Sequence, residues 1–459
     1  MFKQQRVRDP LHNLIEFRDN EFENTLWNVL RTRAFQRLRR VKQLGFSDLV
    51  FPGATHSRFA HSVGVFHVAR ILMAVVEEHL GISRFRSSNA EAALAAALVH
   101  DLGHGPFSHA FEAVGRRLKL KMAKHELVSD AIIRNGEVAD VLKMLGSGFA
   151  DDVAAILTNE RPTIYGAVVS SQFDADRLDY MQRDRLMSGT GLGGIDFGWL
   201  IANLEVGEIP FGVDEEVVGT VETFVIGPKA TRAVESYVLG LFQLYPTIYF
   251  HKTTRGAEKL MTELLCQIFS LVQSGLQNKT GLSSKNDLIR FANKPDNIDN
   301  LLSLDDSVVW GSLSQMARAR DPLISAFSKR LRDRDLYKCI DVRERFVARY
   351  TAANRDQIDA ACARVARKVK EWTSRHDRGV PRLLTDEEER APYKKLQDSK
   401  GPANQIMLKE AGGKSIDIVE RSEVLKGLQP FKLFRVYHAE EDVEAESFIE
   451  AAIGEEAGK

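Results

Sequence analysis

The sequence predicts a mainly α fold with a small α+β subdomain at its C-terminal end. Through the first 375 residues, apolar side chains recur at helical spacing and strand signals are few. Segments rich in branched residues, which favour strands, gather after position 404. We therefore expect a helical core over residues 1–375, with short strands inserted near 204–226. Residues 376–459 are expected to form a linker, an α+β subdomain and an acidic tail.

Five segments predict the helices of the core. Residues 31–44 place apolar side chains three apart, which is typical of an amphipathic helix, and Gly45 follows as a stop. Residues 62–79 form a long apolar stretch, and residues 91–100 are rich in alanine and leucine, so both segments predict buried helices. The remaining predicted helices cover residues 167–188 and 231–277.

Strand signals are confined to a few short segments. Residues 222–226 are rich in β-branched and aromatic side chains and end at a Gly-Pro turn. Three more candidate strands lie near the end of the chain, at residues 405–408, 416–419 and 432–437. Gly412 and Gly413 predict a hairpin turn between the first two of these.

The charged stretches of the second part predict exposed chain. Residues 375–405 contain Pro381, Pro392 and Pro402 among charged side chains, so we expect a surface linker there. The acidic tail after Ala439 is expected to fray.

Composition excludes several classes of protein. Lys plus Arg and Asp plus Glu are both 63, so the net charge is zero, which argues against a protein that wraps nucleic acid by bulk charge. The sequence contains no run of about 18 apolar residues, so no membrane span is expected. The polar N-terminus shows no signal peptide. The three cysteines are far apart and form no CxxC pair. We expect a cytoplasmic protein without disulfides.

Histidines are concentrated in one part of the chain. Of the 12 histidines, eight lie between positions 56 and 125. The strongest motif is HDLGHGPFSH, which starts with the adjacent pair His100 and Asp101. An imidazole and a carboxylate at the end of a helix can bind one divalent ion. His61, in HSRFAHSVGV, and Asp176, in FDADRLDY, each lie near the start of a predicted helix and are candidates to complete the site.

Two imidazoles and two carboxylates leave positions on an octahedral ion for water and a phosphate oxygen. Further cations, hydroxyls and imidazoles surround this set in the sequence. Arg58, Arg177, Lys252 and Tyr180 are candidates to hold an anion, Asp184 and Tyr249 to hold a sugar hydroxyl, and His104, His109 and His125 to act as bases.

These motifs resemble a known family. HDxGHxPFSH, an upstream RFxHSxGV and a downstream FDxDRxDYxxRD are similar to the HD-domain phosphohydrolases, and most of all to the branch that hydrolyses deoxynucleoside triphosphates. The resemblance covers residues 7–252 and implies a helical HD-domain core. It also implies a divalent metal ion as cofactor (Mn, Mg, Fe, Zn, Ni or Co), a dNTP substrate, a nucleotide activator and a homo-dimer or homo-tetramer.

The resemblance also implies a role for each matching residue. His61, His100, Asp101 and Asp176 match the metal ligands, and Asp101 is also predicted to be catalytic. His104 and His125 match the catalytic histidines beside the scissile phosphorus. Residues matching the substrate pocket are Gln43, Leu44, Arg58, His109, Arg177, Tyr180, Asp184, Tyr249, His251 and Lys252. Gln36 and Arg39 match an effector site, although Arg31 replaces the acidic residue that reads guanine in the animal enzyme.

The reaction predicted in this way is attack of water at the α-phosphorus of a dNTP, which releases a deoxynucleoside and intact triphosphate. Two alternatives remain open at this point. One is a phosphodiesterase or nuclease of the same family that acts on nucleic acid or a signalling nucleotide. The other is a dNTP sensor without catalytic activity. No membrane partner is expected, and nucleic acid would be a secondary partner.

Overall fold

The structure is a computed structural model and describes residues 4–121, 123–158, 163–213, 216–349, 355–377, 379–391, 393, 405–410 and 412–457. The helices of the first half are α1 (Glu21–Arg31), α2 (Arg33–Arg37), α3 (Arg58–Arg84), α4 (Ser87–Val99), α5 (His109–Arg117), α6 (His125–Arg134), α7 (Glu137–Leu142), α8 (Phe149–Thr158), α9 (Ile164–Ala167), α10 (Ala175–Ser188) and α11 (Phe197–Ala202). The later helices are α12 (Thr231–Leu244), α13 (Lys252–Gln273), α14 (Asp287–Asn293), α15 (Ile298–Leu302), α16 (Asp306–Met316), α17 (Pro322–Asp333), α18 (Val342–Val347), α19 (Arg355–His376), α20 (Ile418–Arg421), α21 (Glu423–Gly427) and α22 (Val443–Ala457).

Nine strands are defined in the described part of the chain: β1 (Gln5–Asp9), β2 (Asn13–Phe17), β3 (Leu204–Val213), β4 (Glu216–Ile226), β5 (Lys338–Asp341), β6 (Leu383–Arg390), β7 (Met407–Lys409), β8 (Ser415–Asp417) and β9 (Phe431–His438). They form small sheets beside a helical core, so the predicted mainly α class is confirmed.

Helices α3, α4 and α10 form the centre of the core. The hydroxyl of Ser57 caps the start of α3. Six of the 13 residues of α4 are buried alanines, which allow its close packing against α3. The carboxylate of Asp174 caps α10 by accepting a hydrogen bond from Arg177 N at 2.8 Å, and Gly189 ends the helix with a φ of 71°. The ends of these helices carry the candidate site.

Among the described residues, α3 alone is long and apolar enough to cross a membrane. Of its most apolar 18-residue stretch, 72% is buried inside the protein. Because α3 packs against both α4 and α10, its apolar character is that of a core helix.

The predicted helix over residues 31–44 is interrupted. Thr32 is extended between α1 and α2, with a ψ of 152°, and its hydroxyl accepts a hydrogen bond from Phe35 N at 3.4 Å. A 3₁₀ turn over Leu38–Arg40 ends the helical part, and Val41 is again extended. The prediction was wrong because a threonine side chain can cap a new helix, which apolar spacing does not report.

Two other predicted helices are each broken once. Residues 168–173 form turns, so α10 begins only at Ala175. Tyr245–Tyr249 form a π-helical turn between α12 and α13 that contains Pro246, which lacks an N–H to continue a regular helix. The helices predicted over residues 62–79 and 91–100 are confirmed within α3 and α4.

The strands form three sheets. β1 and β2 form an antiparallel hairpin near the N-terminus, the second sheet has the order β3-β4-β7-β8, and the third has the order β5-β9-β6. The strand predicted at 222–226 lies in the long hairpin of β3 and β4. The predicted hairpin of β7 and β8 is confirmed, with Gly413 at a φ of 82°, and the last predicted strand is β9.

Two segments that were predicted as exposed chain form regular elements. β6 lies inside the predicted linker and pairs along its length with β9. The tail after Ala439 forms α22, with Ala445 and Ile449 fully buried. Residues 394–404 of the predicted linker lie outside the described residues. The domain boundary at 375 stays a prediction, although β5 and β9 pair across it.

A second hydrophobic core lies under the third sheet. α18, α19 and α22 cover the sheet with buried apolar side chains, including those of Phe346, Val365 and Ile449. Cys362 belongs to this core, and Cys266 is buried in the main core. All three cysteines are free thiols.

Candidate metal centre

The four residues predicted to hold a metal lie together where three helices meet. His61 lies in the first turn of α3, His100 and Asp101 follow α4, and Asp176 lies in the first turn of α10. We call these four the metal cluster. Asp176 Oδ1 lies 3.0 Å from His61 Nε2 and 3.7 Å from His100 Nε2. Asp101 Oδ1 lies 3.3 Å from His100 Nε2, and Asp101 Oδ2 lies 3.8 Å from His61 Nε2.

These distances suit ligands of one cation. Adjacent ligand atoms lie roughly 3 Å apart around an ion with bonds of about 2.1 Å. Two imidazole nitrogens with two carboxylates suit several first-row divalent metals, and this donor set leaves the identity of the metal open.

Both imidazoles of the metal cluster are oriented by their other nitrogen. His100 Nδ1 lies 2.9 Å from the carbonyl oxygen of Ala97, which can only accept, so this nitrogen donates. His100 Nε2 is buried and has no hydrogen-bond partner in the described part of the chain. His61 Nδ1 lies 2.8 Å from Asp179 Oδ2. Metal-binding histidines are commonly held in this way by a carbonyl or a carboxylate.

The electrostatic field of the cluster favours positive charge. Burial alone would lower the pKa of His61, but its hydrogen bonds with Asp176 and Asp179 raise it to about 10. Burial alone would raise the pKa of Asp101, but the charges of Arg58 and His100 hold it well below the usual range. A site that stabilises a proton on a buried imidazole and lowers the pKa of both Asp101 and Asp176 is suited to a divalent cation.

A second group of titratable side chains adjoins the metal cluster. The rings of His104 and His125 stack at 3.8 Å between centroids, and His104 Nε2 lies 3.3 Å from Asp101 Oδ1. We call His104 and His125 the histidine pair. Glu112 Oε1 is hydrogen-bonded to His125 Nδ1 and lies 3.9 Å from His104 Nδ1.

The two histidines of the pair differ in proton affinity. Burial opposes protonation of His125, but the hydrogen bond with Glu112 outweighs it and raises the pKa. Burial and the charges of Arg58 and His125 lower the pKa of His104 well below its ordinary value. Two adjacent groups with opposite shifts can divide the roles of proton donor and acceptor.

The glycines of the HDLGHGPFSH motif allow close packing around the histidine pair. A Cβ atom on Gly103 would lie 2.6 Å from Ser129 N and 2.8 Å from Val128 Cβ, both on α6. One on Gly105 would overlap the ring of Phe111 on α5. The glycines therefore let α5 and α6 approach the loop that carries His104.

Of the predicted phosphate contacts, Arg58 lies closest to the metal cluster. Its Nη1 atom donates to Asp101 Oδ2 at 2.5 Å, its Nε atom donates to Ser108 Oγ at 2.8 Å, and its side chain is buried. Arg177 instead donates to the Asp174 carboxylate and to the carbonyl of Ser171. Its contact with phosphate stays a prediction.

The predicted sugar contacts extend from the metal cluster along α10. Asp176, Tyr180 and Asp184 are spaced four apart, so they lie on one face of the helix, about 6 Å per step. Asp184 Oδ2 accepts a hydrogen bond from the Tyr249 hydroxyl at 2.9 Å, and Asp184 Oδ1 lies 2.8 Å from His56 Nε2. The rings of Tyr180 and Tyr249 meet edge to face at 6.2 Å.

Three other predicted pocket residues differ in environment. Gln43 Oε1 is buried and has no hydrogen-bond partner among the described residues. Leu44 is half-buried against the main core. His109 is exposed, and its Nδ1 atom lies 3.5 Å from Glu112 Oε2. Their roles toward a substrate stay predictions.

The remaining predicted contacts lie farther along the chain or on the surface. His251 caps α13 and meets the ring of Phe51 edge to face, and Lys252 is exposed in the first turn. Gln36 accepts a hydrogen bond from Arg39 Nε at 3.0 Å, and the guanidinium of Arg39 lies over the Phe59 ring. The substrate and effector roles of these four residues stay predictions.

The sequence reasoning missed the side chains that hold the histidines in place. Asp179 orients His61, Glu112 orients His125, and Arg183 is paired with Asp179. The one available signal was the DYMQRD part of the downstream motif, where Asp179 and Arg183 are four apart on a buried helix.

Comparisons with known proteins agree with this geometry. A family model described as "HD domain" matches residues 58–184, which include the whole metal cluster. The uncharacterized protein YwfO of Bacillus subtilis is 32% identical over 346 residues, covering 73% of this chain and 71% of that protein. The deoxynucleoside triphosphate triphosphohydrolase SAMHD1 of mouse is 27% identical over 369 residues, covering 72% of this chain and 53% of that protein.

The chain spans about half the length of several curated relatives that it matches, including the mouse enzyme. Among solved structures, a phosphohydrolase from Bacteroides thetaiotaomicron has a similar fold, with a TM-score of 0.70 and 23% identity. That match covers 95% of this chain and 100% of the other. At this identity the likeness shows the fold.

Proposed function

Because this chain belongs to the HD-domain phosphohydrolase family, we propose that it hydrolyses deoxynucleoside triphosphates to deoxynucleosides and triphosphate. The observation that supports this most is that Asp101 belongs to two groups that could each hold a cation. One group contains His61 and His100, and the other is formed with the histidine pair. The likeness to the mouse triphosphohydrolase over 72% of this chain supports the choice of substrate.

The residues of the metal cluster would hold a divalent ion. Such an ion polarises a phosphate oxygen and activates a water molecule. Arg58, which is buried against Asp101, places a fixed positive charge beside the same position. This charge stabilises the negative charge that gathers on the phosphate groups in the transition state.

The histidine pair would move the protons of the reaction. His125 carries a proton more readily because of Glu112, and His104 loses its proton more readily because of burial. The protein can therefore donate a proton to the leaving oxygen through His125 and accept one through His104. Asp184 and Tyr249, at the far end of the α10 face, would hold the deoxyribose.

Product analysis tests the proposal. The protein is incubated with Mn²⁺ or Mg²⁺ and with each dNTP singly and with all four together, and anion-exchange chromatography separates triphosphate, pyrophosphate and phosphate. We expect triphosphate and deoxynucleoside as products. Asp101→Asn should abolish both, whereas Asp140→Ala, an exposed acidic residue on α7, should not. Turnover only in the mixture would support a nucleotide activator.

Two outcomes would contradict the proposal. Release of pyrophosphate or phosphate would place the cut at another bond, and absence of turnover with every dNTP would remove dNTPs as substrates. Cleavage of single-stranded DNA or of a signalling nucleotide by the wild type, lost in Asp101→Asn, would then identify a different reaction of the same site.

A further inference from the structure

A chain of buried polar residues connects the metal cluster to the N-terminal hairpin of β1 and β2. It starts at His61, whose Nδ1 atom lies 2.8 Å from Asp179 Oδ2. Asp179 Oδ1 lies 2.7 Å from Nε2 of His12, in the turn of the hairpin. The Asp179 side chain is fully buried and that of His12 is 9% exposed. One carboxylate thus bridges a metal ligand and the hairpin.

A buried arginine makes the same connection a second time. Arg183 donates to both oxygens of Asp179, from Nε at 2.7 Å and from Nη2 at 2.9 Å. Its Nη1 atom donates to Asp9 Oδ2 at 2.7 Å. Asp9 Oδ1 in turn accepts hydrogen bonds from the backbone N–H groups of Leu11 and His12, which fixes the hairpin turn.

The packing around this network leaves it little freedom. Gly64 lies three residues after His61 on α3, and a Cβ atom there would overlap both Asp179 and Arg183. A buried carboxylate that is fully hydrogen-bonded on four sides has one low-energy position. The imidazole of His61 therefore has one orientation, with Nε2 directed at Asp176 at 3.0 Å.

We propose that Asp179, His12 and Asp9 are positioning residues for the metal ligand His61, so that the N-terminal hairpin sets the affinity of the metal cluster. Asp179 accepts a hydrogen bond from His61 Nδ1 and so keeps Nε2 available as a metal ligand. His12 and Arg183 hold Asp179 in place. The inference rests on the metal site of the proposed function, and goes beyond it by giving the hairpin a role.

Metal binding without turnover tests this directly. Apoprotein is prepared with a chelator, and Mn²⁺ binding is measured by equilibrium dialysis for the wild type and for Asp179→Asn, His12→Gln and His79→Gln. His79 lies on α3 as a matched histidine whose Nδ1 atom bonds only to its own helix, at Val75 O. Circular dichroism gives the folded fraction and thermal midpoint of each apoprotein.

We expect Asp179→Asn to weaken Mn²⁺ binding by about 10–100-fold, as is typical when a partner of a metal-binding histidine is removed. His12→Gln should weaken it less but measurably, and His79→Gln should bind as the wild type does. Wild-type affinity in folded His12→Gln protein would overturn the role of the hairpin, even if Asp179→Asn does not fold. If the wild-type protein does not bind Mn²⁺, the metal site itself is overturned.

Discussion

Glu112 is the residue on which the proposed proton transfer depends most. It lies on α5, forms a hydrogen bond with His125 Nδ1, and lies within 4 Å of a ring nitrogen of His104 and of His109. Its own pKa is held well below the usual range by the hydrogen bonds of His109 and His125, against the effect of burial. An ionised carboxylate here keeps one nitrogen of His125 occupied and fixes the orientation of its ring.

Glu112→Gln should lower kcat for dNTP hydrolysis by about 10–100-fold, because an amide stabilises the protonated imidazole less than a carboxylate does. KM should change little, since Glu112 holds a histidine and makes none of the predicted substrate contacts. Steady-state kinetics with one dNTP measure both constants. Arg116→Gln is the control, because Arg116 is 58% exposed and touches the same carboxylate. A wild-type kcat in Glu112→Gln would exclude this role.

Asp306 makes the loop of the histidine pair sensitive to pH. Its oxygens accept hydrogen bonds from Phe107 N at 2.7 Å and Lys42 N at 2.9 Å, yet burial raises its pKa to about 6. In the unfolded chain this carboxyl titrates near pH 4. The unfolded state therefore releases the proton first as the pH rises, and the free energy of unfolding falls by about 2 kcal/mol between pH 4 and 7.

Asp306→Asn removes this titration. The stability difference between wild type and variant should therefore shift by about 2 kcal/mol toward the variant from pH 4 to pH 7. Urea unfolding at both pH values measures the difference, and the other titrating groups cancel in it. A difference that stays constant with pH would show that Asp306 titrates normally.

The sequence predicts the residues of the metal cluster better than the side chains that orient the histidines. The HD motif, together with the motifs around His61 and Asp176, marks the site, and the metal cluster does lie together. Asp179 and Glu112 carry no such mark, because any buried carboxylate of a helix can pair with a cation, and only the packing of α3, α5, α6 and α10 decides which histidine it meets.

The elements around the site are joined by close backbone approach. α6 brings His125 over the loop that carries His104, and the backbone of α6 passes directly against Gly103. Ser129 of α6 donates to the carbonyl of His100 at 2.8 Å and accepts from Gly103 N at 2.9 Å. The stacking of the histidine pair therefore depends on the fit between one helix and one glycine.

Gly103→Ala should destabilise the protein by about 1–3 kcal/mol, because the added methyl group meets backbone atoms that cannot move independently. Gly454→Ala on α22 is the matched control, since no described atom lies within 4 Å of its Cβ position, and it should be neutral or stabilising by up to about 1 kcal/mol. Chemical denaturation measures both. Equal stabilities of the two variants would contradict the close approach of α6.

Helices and strands could be predicted from the sequence where one physical cause dominates the local pattern. The apolar stretch of α3 and the alanines of α4 admit only a buried helix. The break at Thr32 and the strand β6, with its acidic LLTDEEER sequence, depend on a side-chain cap and on pairing with β9. The first is a local side-chain hydrogen bond that apolar spacing does not report, and the second depends on a strand farther along the chain. The acidic tail became α22 because its few apolar residues fit the second core.

At the scale of the whole molecule, the third sheet supports α13, at whose start lie two predicted substrate contacts. The Tyr437 hydroxyl of β9 donates to Lys252 O at 3.1 Å, and Gly256 of α13 lies against the same tyrosine ring. Arg435 donates to Phe250 O at 2.5 Å. The sequence analysis predicted a C-terminal subdomain separate from the helical core. Pairing between strands nearly a hundred residues apart, such as β5 and β9, leaves no local pattern that could show the connection.

One buried carboxylate holds the third sheet on α13, and its removal is the sharpest test of this arrangement. Asp386 of β6 is fully buried and accepts hydrogen bonds from Arg255 Nε at 2.8 Å, with Lys259 Nζ also at 2.8 Å. Asp386→Ala leaves these two cations without their buried partner and should cost about 3–5 kcal/mol of unfolding free energy. KM should also rise, because the start of α13 loses its support.

Glu388→Ala provides the comparison. Glu388 lies 3.0 Å from the same Arg255, but its side chain is 37% exposed, so its loss should cost less than about 1 kcal/mol. Urea unfolding and dNTP kinetics on the two variants separate the explanations. If Asp386→Ala lowers stability and leaves KM unchanged, the sheet stabilises the fold without supporting the site. If both variants behave as the wild type does, α13 holds its position without the sheet.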